Sequence, residues 1–178
     1  MSAKKGSPMR VGIALGSNLG DRVGQLRAAV AAIRAFAEPP ILLSHVYETA
    51  PVDCPPGSPA FLNAAMEIGF SGGIHDLLRH LQAIEQAQDR PAIHGRNTPR
   101  TVDLDILYAN DLALETPELT LPHPRLMERV FVLRPLCDFA PNRTLPGQLT
   151  SFATQLNHLS DSSVTQLDTN LDTEICEK

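Results

Sequence analysis

The chain has 178 residues, of which 43% are hydrophobic and 20% charged, with a formal net charge of −5. Those values describe one globular domain with a sizeable core and argue against a broad phosphate-backbone-binding surface. With no Trp and only two Tyr, there are few stacking platforms for single-stranded nucleic acid.

Cys54, Cys137 and Cys176 are far apart and show neither a C-x-x-C pair nor zinc spacing, so a reducing cytosol is the simplest setting. Met1 to Pro8 lacks an apolar signal core and no apolar run approaches a membrane span, so the expected location is cytoplasmic. Small-molecule substrates, no nucleic acid, no membrane and a monomer are the expected partnership.

Residues 10–15 predict a buried strand, followed by the turn Gly16-Ser17-Asn18-Leu19-Gly20-Asp21. That turn lacks the ending of a P-loop and the spacing of a Rossmann turn, so it reads as a strand-to-helix turn with a polar cap. From Arg22 the apolar residues Val23, Leu26, Ala29, Val30 and Ile33 follow helical spacing, and Pro39-Pro40 is expected to stop that helix. Residues 41–49 and 61–70 predict strands, separated by a stiff, proline-rich loop over 53–60. Ile74, Leu77, Leu78, Leu81 and Ile84 predict a helix over 74–88.

Residues 89–99 hold two prolines, a glycine and several charges and read as a mobile loop. A strand follows to about Tyr108, then a turn at Asn110-Asp111 and a short strand near 112–114 expected to pair back on it. Leu119 to Pro124 is extended and leads into a helical segment ending near Phe139. Residues 1–159 are therefore expected to form a single domain, and 160–178, rich in Ser, Thr, Asp and Asn, a disordered acidic tail. Alternating strands and helices with tight turns indicate an α+β fold with antiparallel pairs.

The most informative run is Arg100-Thr-Val-Asp-Leu-Asp-Ile106. In a strand, Val102, Leu104 and Ile106 point one way, and Asp103 and Asp105 point the other, side by side. Adjacent like charges need neutralising, and Mg²⁺ with one or two carboxylates plus substrate phosphates does so. A solvated strand face is the competing reading of the local pattern. Arg100 is a candidate phosphate fork, and Arg90, Arg96, Arg125 and Arg129 could add a local basic pocket. His123 stands between two prolines, equally suited to a structural role or a phosphate contact. An Arg-rich loop leading into a metal-ligand strand fits a lid over polyphosphate. No Ser-His-Asp order, G-x-S-x-G elbow or protein-kinase signature is present.

These pieces, in this order, resemble the 6-hydroxymethyl-7,8-dihydropterin pyrophosphokinase family from about Val11 to Pro141. The resemblance rests on Gly16 to Asp21, Tyr47-Glu48-Thr49-Ala50-Pro51, Phe61-Leu62-Asn63-Ala64, and Ile84-Glu85 with Arg90. It continues through Pro99-Arg100-Thr101-Val102-Asp103-Leu104-Asp105-Ile106 and Leu121-Pro122-His123-Pro124-Arg125 with Arg129. It implies a three-layer α/β/α sandwich of ferredoxin-like character with a largely antiparallel sheet. It also implies transfer of pyrophosphate from ATP to the pterin hydroxymethyl group in folate biosynthesis, with release of AMP.

By that resemblance Asp103 and Asp105 hold two Mg²⁺ ions, Arg100 and His123 contact phosphates, and Arg129 lies near the transferred group. Gln82, Glu85, Ile106 and Thr120 match nucleotide-side positions, with Arg90 and Arg96 on the covering loop. Thr49, Ala50, Pro51, Val52, Phe61, Asn63 and Phe131 match the pterin side, where Asn63 would read the ring edge between two phenylalanines. No separate general base is evident, and an Asp103–metal unit is the expected substitute. The chain departs from the family pattern at Ala92, where a second arginine is common, and at Asn97-Thr98, where Trp-Gly is common. Weaker loop closure or slower turnover is the expected consequence. The alternatives are a pterin- or nucleotide-binding paralogue with weak turnover, and a D-x-D glycosyltransferase, which would need a nucleotide-binding Rossmann half that the chain lacks.

Overall fold

The computed structural model describes residues 7–51, 56–88, 101–159 and 164–172. In chain order these form β1 (Met9–Ser17), α1 (Arg22–Arg34), β2 (Glu38–Leu43), β3 (Val46–Thr49), β4 (Phe61–Phe70), α2 (Ile74–Ala87) and β5 (Asp103–Ala109). The short hairpin strands β6 (Leu114–Glu115) and β7 (Thr120–Leu121) follow, then a 3₁₀ turn over Leu126–Glu128, α3 (Val130–Leu136), α4 (Phe152–His158) and β8 (Val164–Leu167).

One sheet has the order β5-β1-β4-β3-β8, with β2 beside β3 on the same flank of β4. Every pairing in it is antiparallel. Counting β2 and β3 as one position, the β-α-β-β-α-β order and the placement of β1 and β4 at the centre give the ferredoxin-like α+β arrangement. Helices α1 and α2 cover one face, where Leu26, Ala29, Val30, Ile33, Leu77 and Leu81 pack on Val11, Ile13, Leu15, Met66, Ile68, Leu104 and Ile106. Helices α3 and α4 cover the other, where Val132, Leu133, Leu136 and Phe152 pack on Ala65, Leu107 and Tyr108. The result is the expected three-layer sandwich.

The period-2 alternation of β1 explains this layering. Val11, Ile13 and Leu15 are buried under α1 and α2, whereas Gly12, Ala14 and Gly16 face the α3 side and leave a shallow trough along it. Asp21 caps α1 by accepting the Gly24 N–H at 3.0 Å, confirming the turn-and-cap reading of residues 16–21.

Four expectations are corrected. Helix α1 ends at Arg34, before the prolines; Pro39 and Pro40 lie inside β2, where the register with β4 skips between Glu38 and Ile41. Among the described residues that strand pairs only with β4, so two residues without N–H donors are tolerated. The strand expected over 41–49 is two strands. They part at Ser44, whose Oγ accepts the Ala65 N–H at 2.8 Å and whose N–H donates to the Ala65 carbonyl at 2.9 Å.

The short strand after Asn110 does not pair back on β5. It is β6, and it pairs with β7 through a turn in which the Thr116 N–H donates to the Leu119 carbonyl at 3.0 Å. Nor are residues 164–172 a disordered tail. β8 pairs with β3, Leu171 is buried in the core, and Arg27 of α1 donates to the Asn170 carbonyl at 2.9 and 3.0 Å. Arg34 adds an ion pair with Asp172. The expected mobile loop over 89–99 lies outside the described residues.

Candidate active site

The site lies on the α3 side of the sheet, where the central strands end. Cross-strand register places Asn63, Gly16 and Asp103 in one row and Ala65, Ala14 and Asp105 in the next. Gly16 is flanked on both sides by functional groups. A Cβ there would sit 3.7 Å from Asn63 Oδ1 and 3.9 Å from Asp103 Cβ. Asp103 and Asp105 share one face of β5, half-buried, while Leu104 and Ile106 are buried on the other. The alternation read from the sequence is therefore realised.

The edge strand that carries these carboxylates is fixed from two directions. On its free side, buried Glu85 of α2 accepts the Leu104 N–H at 2.8 Å, between the two aspartates. At its other end β5 bulges: Ile106 faces Ile13 and Tyr108 faces Gly12, so Leu107 is an extra residue. The Leu107 carbonyl accepts the His123 N–H at 2.8 Å. The bulge thus ties the His-Pro segment to the strand that carries Asp103 and Asp105.

His123 Nδ1 accepts the Arg125 N–H at 3.1 Å. In the neutral imidazole the proton is therefore on Nε2, available to an incoming acceptor. Burial pushes the His123 pKa below the ordinary histidine value, and the Arg129 and Arg125 charges add to this against an opposing pull from Asp103. Burial also lowers the Arg129 pKa, with Arg125 next, while Asp105 and Asp103 favour its charge. The Arg129 guanidinium lies 5.5 Å from the centre of the Phe131 ring. Asp103, Asp105, His123, Arg129, Phe131, Asn63 and Gly16 line a common cleft.

Among the residues expected on the pterin side, Asn63 Nδ2 donates to Thr49 Oγ1 at 2.8 Å and both side chains are buried. Phe61 lies on the Asn63 face of β4, paired with Thr49 of β3. Arg22 braces this region from α1, donating to Glu48 at 2.8 Å and to the Ala60 carbonyl at 2.9 Å. Ala50 is exposed and Pro51 is partly buried just beyond β3.

The expected nucleotide-side residues are more scattered. Gln82 is exposed on α2, and Thr120 is exposed on β7. The Ile106 side chain is buried in the core and offers only its backbone. Arg90, Arg96, Arg100, Val52, Ala92, Asn97 and Thr98 lie outside the described residues. Two features are not evident from the sequence: the Glu85 bond to β5 and the bulge at Leu107.

Among the described residues no group of three or more His, Cys, Asp or Glu side chains could hold a metal ion. Two carboxylates fit a Mg²⁺ ion whose remaining ligands are water and substrate phosphates. The arrangement is thus an α+β sandwich with a carboxylate pair, an imidazole and an arginine converging on one cleft, the composition of a polyphosphate-handling site.

Known proteins place it more narrowly. Residues 12–141 match the family model described as 7,8-dihydro-6-hydroxymethylpterin-pyrophosphokinase (HPPK). A Bacillus subtilis 2-amino-4-hydroxy-6-hydroxymethyldihydropteridine pyrophosphokinase is 46% identical over 127 residues, 71% of this chain and 75% of that protein. A Pseudomonas aeruginosa protein of the same name is 40% identical over 138 residues, 77% of this chain and 84% of that one. The chain belongs to the 7,8-dihydro-6-hydroxymethylpterin-pyrophosphokinase family, whose members are ATP-dependent diphosphotransferases.

The fold is also that of a Plasmodium falciparum HPPK-DHPS structure, with a TM-score of 0.71 at 13% identity, covering 92% of this chain. This chain spans only 47% of that protein's length, and at such identity the likeness speaks to the fold alone.

Proposed function

We propose that this cleft transfers the pyrophosphoryl group of ATP to 6-hydroxymethyl-7,8-dihydropterin, giving AMP and the pterin diphosphate, a step of folate biosynthesis. The observation that carries the reading is the row Asn63–Gly16–Asp103. A buried amide suited to a heterocycle edge and a carboxylate suited to a metal–phosphate unit stand either side of a residue with no side chain. A hydroxymethyl group on a ring held at Asn63 would project over Gly16 towards the carboxylates.

The proposed division of labour follows from the chemistry of each group. Asn63 and Thr49 orient the pterin edge, and Phe61 and Phe131 contribute ring faces. Asp103 and Asp105 would hold Mg²⁺, two ions by family resemblance, which neutralises the triphosphate and stabilises developing charge. His123 donates from Nε2 to a phosphate oxygen, and Arg129, kept cationic beside the two aspartates, balances the transferred group. Arg100, Arg90 and Arg96 are assigned to the triphosphate, and Gln82, Glu85, Ile106 and Thr120 to the nucleotide side. Because the transferred group is highly anionic, the protein's contribution is positioning and charge neutralisation.

Product identity tests the reading. Incubation with ATP, Mg²⁺ and hydroxymethyl-dihydropterin should yield AMP and pterin diphosphate in equal amounts. Formation of ADP, or no pterin-dependent AMP, would contradict it.

A further inference from the structure

A second row crosses the same sheet face below the site: Glu67 of β4, Gly12 of β1 and Tyr108 of β5. A Cβ at Gly12 would run into the Tyr108 ring. The absence of a side chain there lets the phenol lie across β1 and reach the next strand. Its hydroxyl donates to Glu67 Oε2 at 2.7 Å, and both side chains are 1% exposed.

Glu67 is neutralised on its other side by Arg10, whose Nε donates to Oε1 at 2.8 Å. The Arg143 guanidinium lies 4.2 Å from the centre of the Tyr108 ring and donates to the Asn110 carbonyl at 2.7 Å. A phenol, a carboxylate and two guanidiniums are therefore locked together across β1, on the sheet face that α3 and α4 cover.

This lock sits on the residue after the bulge. The extra residue, Leu107, brings Tyr108 onto the face of Asp103 and Asp105 and frees the carbonyl that holds His123. We propose that Tyr108 is a positioning residue. By anchoring the bulge to Glu67 it sets the Leu107 carbonyl, and through it the distance between His123 and the Asp103–Asp105 pair. Tyr108 is not among the residues that line the cleft. The inference rests on the pyrophosphokinase reading for its kinetic consequence, not for its geometric one.

Tyr108→Phe keeps the ring and removes only the hydroxyl. Well below its melting temperature, this variant should lose about tenfold in kcat with both KM values nearly unchanged, the signature of misplaced groups rather than lost binding. The His123 amide should exchange with solvent about tenfold faster, while amides of the β1–β4 ladder keep their protection. Glu67→Gln, which retains an acceptor for the phenol, should preserve His123 protection even if its melting temperature falls.

Wild-type kcat and unchanged His123 exchange in Tyr108→Phe would overturn the proposal and leave the network a stabilising one only. A wild-type protein that forms no AMP would instead overturn the pyrophosphokinase reading, with the exchange measurement still deciding the role of Tyr108.

Discussion

Asn63 and Asp103 face each other across Gly16, one on each neighbouring strand of β1. The gap between them is the width of a missing side chain. At Gly16 an added methyl would meet both neighbours at ordinary contact distances, 3.7 and 3.9 Å. Gly16→Ala should therefore fold with little change in stability yet place a methyl where, in the proposed site, the substrate hydroxymethyl lies. The expected result is a melting temperature near wild type with turnover reduced on the order of tenfold or more, by obstruction of the reacting geometry. Unaltered kinetics would show that the substrates do not meet over this row.

Asn63 and Thr49 form a buried pair at 2.8 Å that fixes one amide hydrogen and leaves the rest of the amide for a ligand. Asn63→Ala should weaken pterin binding by about 1–3 kcal/mol, the cost of unpaired buried polar groups. Binding of a non-hydrolysable ATP analogue should change far less. Calorimetry on each ligand checks this, and loss of ATP affinity with intact pterin affinity would reverse the assignment of the two halves.

Glu85 connects α2 to the strand of the carboxylates through the Leu104 N–H at 2.8 Å. Replacing it by Leu leaves that buried-edge donor unmet, at about 1–3 kcal/mol of stability. Denaturant unfolding gives the loss directly. A variant as stable as wild type would mean that the Glu85 bond does not help to hold β5.

The pH dependence follows from His123. Its folded-state pKa is lowered, chiefly by burial and then by Arg129 and Arg125. The unfolded chain therefore takes up a proton before the folded one does as pH falls. The contribution of this group is complete above the unfolded value, about 6.5, and is lost as pH drops from there through the folded pKa. Acid titration of stability for wild type and His123→Asn should differ in that window and run parallel above it. The imidazole of the ligand-free protein, followed by NMR, should titrate below 6.5; titration above that value would contradict the burial argument.

The parts of the fold legible in the sequence are those whose side-chain period is set by a one-sided core. Strand β4 matches the expected residues 61–70, and α2 begins at the expected Ile74, because Leu77 and Leu81 recur along one buried face. The carboxylate pair was legible for the same reason. Elements defined by a partner elsewhere in the chain were not. β8 has only Val164 and Leu167 as apolar residues among polar ones, and forms because the edge of β3 accepts it. The Leu107 bulge depends on Gly12 making room for Tyr108, a relation between distant positions that no local pattern carries. Residue type and neighbours point to His123 and Arg129, but their approach to Asp103 and Asp105 depends on the Leu107 carbonyl and the start of α3.

The central claim is that Asp103 and Asp105 form the metal–triphosphate end of a pyrophosphokinase site, and single-turnover AMP formation tests it most directly. Wild type, Asp103→Ala and Asp105→Ala should be compared at saturating ATP, pterin and Mg²⁺, with melting temperatures recorded alongside. Both aspartates are half-buried on the cleft face, so their removal should leave the fold intact. The account predicts folded variants whose AMP formation falls on the order of 10²-fold or more, since uncompensated triphosphate charge removes several kcal/mol of transition-state stabilisation. Folded variants that form AMP within a few-fold of wild type would contradict it.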